Sequence, residues 1–84
     1  MARTRKSSVQ IRFEILEFMF QHSGGHARTS LWRRATQSSY GDFQKHLASL
    51  QERGLVEESE SGIRLTALGG EVYRKLCEAL PSML

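Results

Sequence analysis

Apolar positions crowd the first part of the chain more densely than a single buried stripe requires. Ile11, Ile15, Phe18 and Met19 recur at helical spacing on one face and Val9, Phe13, Leu16 and Phe20 on a second, leaving Gln10, Glu14, Glu17 and Gln21 as the polar strip. This predicts a helix that Ser7 or Ser8 caps and that Ser23-Gly24-Gly25 stops just beyond His22. Two explanations fit such breadth: a central helix covered from several sides, or a face that packs on a second copy of the chain.

The later apolar groups are shorter and better separated. Leu31, Trp32 and Ala35 share the inner side of a short helix predicted over residues 30–36, with Thr29 as its cap, Arg33 pointing outward and Arg34 at the flank. Gln37-Ser38 makes a turn, and Ser39 opens a third helix with Asp42 three residues on, a shortened capping box. Phe43, Leu47 and Leu50, at i, i+4 and i+7, form its core side, and Gly54 ends it. Residues 55–58 and 63–65 then read as strands joined by Ser59-Glu60-Ser61-Gly62. Thr66 caps a last helix with Leu68, Val72, Leu76 and Leu80 on one side and Tyr73 and Cys77 beside it, which Pro81 is expected to end.

Helix, tight turn, helix, glycine stop and hairpin, in that order from Ala35 to Leu65, is the arrangement with which a winged helix-turn-helix places one helix in a DNA groove. The expected fold class is mainly α with a small β-hairpin: a three-helix core, a wing and a C-terminal helix. A flexible basic arm is expected over residues 1–7, carrying Arg3, Arg5 and Lys6, the folded domain over 8–80, and a tail over 81–84. Eighty-four residues suit one small domain and leave no room for a second.

Particular blocks sharpen this reading. Ile15-Leu16, Arg28-Thr29, Ser39-Tyr40, Lys45-His46-Leu47, Leu50, Glu52-Arg53-Gly54-Leu55-Val56, and Leu65-Thr66 with Gly69 give the stretch 11–80 its character. On these the chain resembles the small archaeal winged-helix regulators and chromatin-associated DNA-binding proteins. The most specific part is Gly54-Leu55-Val56 followed by Leu65-Thr66 and Gly69. There Gly54 is expected to take a left-handed turn, Leu55 and Val56 to enter the core, and Thr66 to close the hairpin by capping the final helix. Two features depart from the pattern. Gln37-Ser38 stand in a turn that often holds an apolar residue, and the wing carries Glu57, Glu58 and Glu60 in place of Lys or Arg. An acidic wing is not expected to lie against phosphate.

The net charge of +3 is unevenly spread. Residues 1–34 hold seven Lys/Arg against two Glu, and residues 35–84 hold five against seven acids, so the positive field belongs to the first part of the chain. A lone cysteine, Cys77, excludes an internal disulfide and points to a reducing compartment, hence to a cytoplasmic, nucleoid-associated protein. Arg12, Glu14 and Glu17 interrupt the apolar run, so neither a signal peptide nor a membrane span is expected. No Ser/His/Asp set, paired-carboxylate site or phosphate-cradling glycine loop can be assembled. The expectation is a protein that is not an enzyme and has no cofactor and no small-molecule substrate. His22 and His26 lack a third ligand for a metal, and His46 is expected to pack beside the core.

The candidate chemistry is therefore recognition of double-stranded DNA. Away from its core side the third helix presents Gly41, Lys45, Ala48, Ser49 and Glu52, small residues around one cation that let a backbone approach base edges. Lys45 and Gln44 are the candidate base readers, with Ser49 beside them. Ser38, Ser39 and Tyr40 stand at the helix start, where amides and hydroxyls favour phosphate, and Arg28, Arg33 and Arg34 are the phosphate candidates on the supporting helix. The resemblance brings the first and last helices close together, and their wide apolar surfaces imply a homodimer through Phe13, Phe20, Tyr73, Leu76 and Leu80. The alternative is a winged-helix protein–protein interaction module without direct DNA contact, which the acidic wing favours. Single-stranded nucleic-acid binding ranks behind both, with only Tyr40 and Tyr73 as stacking candidates.

Overall fold

The computed structural model describes residues 8–83, with side chains through residue 79. Helices α1 (Ser8–Gln21), α2 (Arg28–Ala35) and α3 (Tyr40–Glu52) precede strands β1 (Val56–Ser59) and β2 (Gly62–Leu65), and α4 (Ala67–Met83) follows. The N-terminal arm and the Leu80 side chain lie outside the described residues.

Helix α1 is the central element. It packs against α2, α3, α4 and β2, which covers much of its apolar circumference, while Val9 and Phe20 stay exposed. Its buried line is Ile11, Ile15, Leu16 and Met19, so Leu16 joins residues of the other predicted face, while Phe18 and Phe13 stay half-buried. Leu31 of α2, Phe43, Leu47 and Leu50 of α3, then Leu55, Val56, Ile63 and Tyr73 complete one core. Each large apolar side chain removed from water there contributes about 1.5–3 kcal/mol before conformational entropy is counted.

Local chemistry sets both ends of α3. The Ser39 hydroxyl accepts from the Asp42 amide at 3.2 Å. At the other end Gly54 adopts φ 75°, its amide donating to the Gln51 carbonyl and that of Leu55 to the Leu50 carbonyl, each at 3.0 Å. This is a Schellman closure, and the Leu50 and Leu55 side chains it brings together are both buried. Thr66 caps α4 as expected, its hydroxyl accepting from the Gly69 amide at 3.0 Å. Gly69 is buried where α4 crosses the Leu55 carbonyl, so closely that a β-carbon would collide with that backbone oxygen.

Three boundaries differ from the sequence expectation. Thr29 does not cap α2; the helix begins at Arg28, with Ala27 as a cap that offers no side-chain hydrogen bond. The cause is tertiary: His26 exchanges both backbone hydrogen bonds with Ile63, at 2.9 and 2.8 Å, and this antiparallel bridge delivers the chain into α2 two residues earlier. The hairpin turn is also tighter. Ser59 and Gly62 are the last paired residues, leaving Glu60-Ser61 as the loop, while Gly62 at φ 109° carries the left-handed conformation. Finally, α4 continues through Pro81 to Met83, so residues 81–83 are not a separate tail. Proline removes the hydrogen bond its nitrogen would have donated to the Cys77 carbonyl, but so near the helix end little remains beyond it to disrupt.

Candidate nucleic-acid interface

The i, i+4, i+7 burial of Phe43, Leu47 and Leu50 turns the opposite side of α3 to solvent. Gly41, Gln44, Lys45, Ala48 and Glu52 are exposed, and Ser49 is half-buried. The rod therefore offers a surface of small side chains with Lys45 as its outward cation. Gln44 lies about 100° around the helix from Lys45.

The turn that aims this rod is braced by aromatic packing. The Trp32 indole N–H donates to the Ser38 carbonyl at 2.8 Å, its ring meets Tyr40 edge-on at 5.0 Å, and Tyr40 continues to Phe43 at 6.0 Å. Tyr40 is consequently half-buried as part of the brace. The Ser38 hydroxyl oxygen is fully buried without a hydrogen-bond partner, so it cannot reach a phosphate as the sequence suggested. Ser39 is engaged as the α3 cap, and Asp42 in the first turn already supplies negative charge there. Thr36 is buried at the end of α2, its hydroxyl donating to a Glu14 carboxylate oxygen at 2.8 Å.

The α2 arginines have separate fates. Arg28 pairs with Glu58 of the hairpin at 2.9 Å, which offsets the charge that would otherwise attract phosphate. The Arg34 guanidinium lies 5.1 Å over the Phe18 ring, holding it toward α1. Arg33 is exposed and borders a shallow depression shared with Glu14, Glu17, Arg34, Thr36 and Gln37. Of the three, Arg33 is the one the geometry leaves best placed for solution partners.

One cation escaped the sequence reading. Arg12 of α1 reaches across to α3, its Nε donating to His46 Nδ1 at 3.4 Å. Burial and the Arg12 charge hold the His46 imidazole below its ordinary 6.5; Asp42 pulls the other way and Lys45 reinforces the lowering. The available signal was Arg12 itself, a charge set inside an apolar run. His46 is half-buried beside the core as expected. His22 stacks on Phe18 at 4.3 Å and His26 bonds the His22 carbonyl at 2.7 Å. No group of three or more metal-ligating side chains forms among the described residues.

A braced helix pair followed by a hairpin and a capping helix is a recognisable arrangement, and the winged helix-turn-helix family profile matches residues 5–82. The chain belongs to the winged helix-turn-helix family. No curated protein and no solved structure matches it significantly.

Within this winged helix, the wing is acidic where a phosphate contact would need cations. Glu57, Glu58 and Glu60 are all exposed, with Glu57 directly opposite Arg64 in the ladder and Glu58 turned to Arg28. On α4, Tyr73 proves to be a core residue at 8% exposure. It fills the space between its own chain's Phe13 and Phe20, at 5.4 and 4.7 Å between ring centres. Its phenol is pushed up to about 12 by the hydrogen bond with Cys77, by burial and by the neighbouring charges of Cys77 and Glu17. Phe20 remains 41% exposed, and Leu76 and Phe13 are half-buried. No described helix is long and apolar enough to cross a membrane.

Proposed function

We propose that this winged helix binds double-stranded DNA by seating α3 in the major groove, as a homodimeric transcriptional regulator or DNA-coating protein of the cytoplasm and nucleoid. Lys45 and Gln44 face base edges, Ser49 lies at the margin, and Arg33 meets the phosphate backbone. The observation that carries the reading is the exposed outer side of α3, small residues around Lys45 on a rod whose inner side is locked by Phe43, Leu47 and Leu50. Family membership supports the same partner and a role without catalysis. For the dimer, Phe13, Phe20, Leu76 and Leu80 are the proposed contact, with Tyr73 as their packed support rather than part of the exposed surface.

Fluorescence anisotropy of labelled duplex DNA over a range of salt tests this. Binding that weakens steeply as salt rises is expected, because phosphate contacts release counterions. Absence of binding at low salt overturns it. Sedimentation at tens of micromolar separately tests the dimer, and a monomer there removes that part.

The wing supports a second reading. Exposed Glu57, Glu58 and Glu60, with Arg28 tied to Glu58, would suit a basic protein partner in place of DNA. Salt-insensitive failure to bind duplex, together with an intact fold, favours that adaptor role.

A further inference from the structure

The contact between Arg12 and His46 joins α1 to the flank of α3, next in sequence to Lys45. Arg12 Nε can only donate, so the bond requires Nδ1 of His46 to be an unprotonated acceptor, with the ring hydrogen on Nε2. A proton arriving at Nδ1 would turn the acceptor into a donor and set two cations side by side. That arrangement is unfavourable in the unliganded protein and favourable once an anion lies between or beside them. The charged groups acting on the ring are Arg12 from α1 and Asp42 and Lys45 from its own helix, a balance weighted toward positive charge. Both Arg12 and His46 are half-buried, so neither is sealed from solvent.

We propose that Arg12 and His46 form a phosphate site at the flank of α3, where a backbone phosphate of duplex DNA displaces the Arg12–His46 hydrogen bond and is held by Arg12 and the protonated imidazole. Binding at this site is accompanied by proton uptake at His46. This rests on the DNA-binding reading and adds a position on α1 and a coupling to pH. Arg12 then contacts phosphate directly, while His46 contacts it only in its protonated form.

The test measures duplex affinity at fixed salt between about pH 8 and about pH 5, a range carried to the acid side because His46 is held below its ordinary value in the unliganded protein. Wild type should tighten severalfold as pH falls, with about tenfold as the ceiling if DNA raises the His46 pKa by about one unit. His46→Gln should tighten less than about twofold over the same range, and Arg12→Ala should bind more weakly than wild type at about pH 5.5. Circular dichroism checks that each variant is folded. Independently of any substitution, the imidazole resonances of His46 in wild type should titrate at higher pH with duplex bound than without it. Binding with equal pH dependence in wild type and His46→Gln, or a His46 titration unmoved by duplex, overturns the proposal and leaves the DNA reading standing. Absence of duplex binding at every pH and at low salt instead removes the DNA reading, and this site with it.

Discussion

The Thr66 hydroxyl donates to the Gly54 carbonyl at 2.6 Å, joining the exit of α3 to the entry of α4. The same oxygen lies 3.0 Å from the Leu55 carbonyl and accepts from the Gly69 amide. One short side chain thus satisfies backbone groups on both sides of the hairpin. Thr66→Val keeps the shape but removes donor and acceptor together, so stability should fall by about 1–2 kcal/mol. Thr66→Ser should lose much less. Chemical denaturation of the three proteins measures the difference.

Opposite sides of α3 should respond differently to truncation. Leu47 is fully buried, and Leu47→Ala should cost about 2–5 kcal/mol, enough to unfold much of so small a domain. Lys45→Ala and Arg33→Ala should leave the melting temperature within about 2–4 °C while weakening duplex binding. Equal DNA affinity of wild type and the Lys45/Arg33 double variant would remove the proposed surface.

Pairing of Arg28 with Glu58 makes a further prediction about DNA affinity. The pair is partly exposed, at 33% and 46% of the side chains, so Glu58→Gln should change stability by less than about 1 kcal/mol. The substitution removes a negative charge and releases Arg28 at the start of α2. Duplex binding should therefore strengthen, with a steeper dependence on salt, in the anisotropy titration.

Tyr73 predicts sensitivity to alkali. Its phenol titrates at about 12 in the folded chain against an ordinary 10.0, so the folded state retains the proton that the unfolded state releases. The resulting stabilisation is complete below 10.0 and is lost as pH rises from there through about 12. In a Tyr40→Phe background, phenolate absorbance should appear only as pH nears the upper value. Tyr73→Phe should lose this part of the alkaline drop in melting temperature.

What could be read from the chain was what is decided locally. Phe43, Leu47 and Leu50 repeat at one helical spacing, and Ser39 and Gly54 close the two ends with their own backbone neighbours, so α3 is legible from residues within it. Thr66 behaves the same way. The start of α2 was not legible, because Thr29 is a competent cap and only the distant bridge from His26 to Ile63 displaces it. At the interface the exposure of Lys45 and Gln44 followed from helical phase. The burial of the Ser38 hydroxyl, the pairing of Arg28 and the placement of Tyr73 between two phenylalanines depend on elements that sequence spacing does not bring together.

The bridge at His26 also has a mechanical consequence. Two backbone hydrogen bonds stitch the segment ahead of α2 to the second strand of the hairpin, and Gly62 sits so close to it that a β-carbon there would lie 2.8 Å from the His26 backbone. The wing cannot swing as a loose flap. A partner that tilts the hairpin pulls on the root of α2 through this seam, and a load on α2 is felt at the hairpin tip.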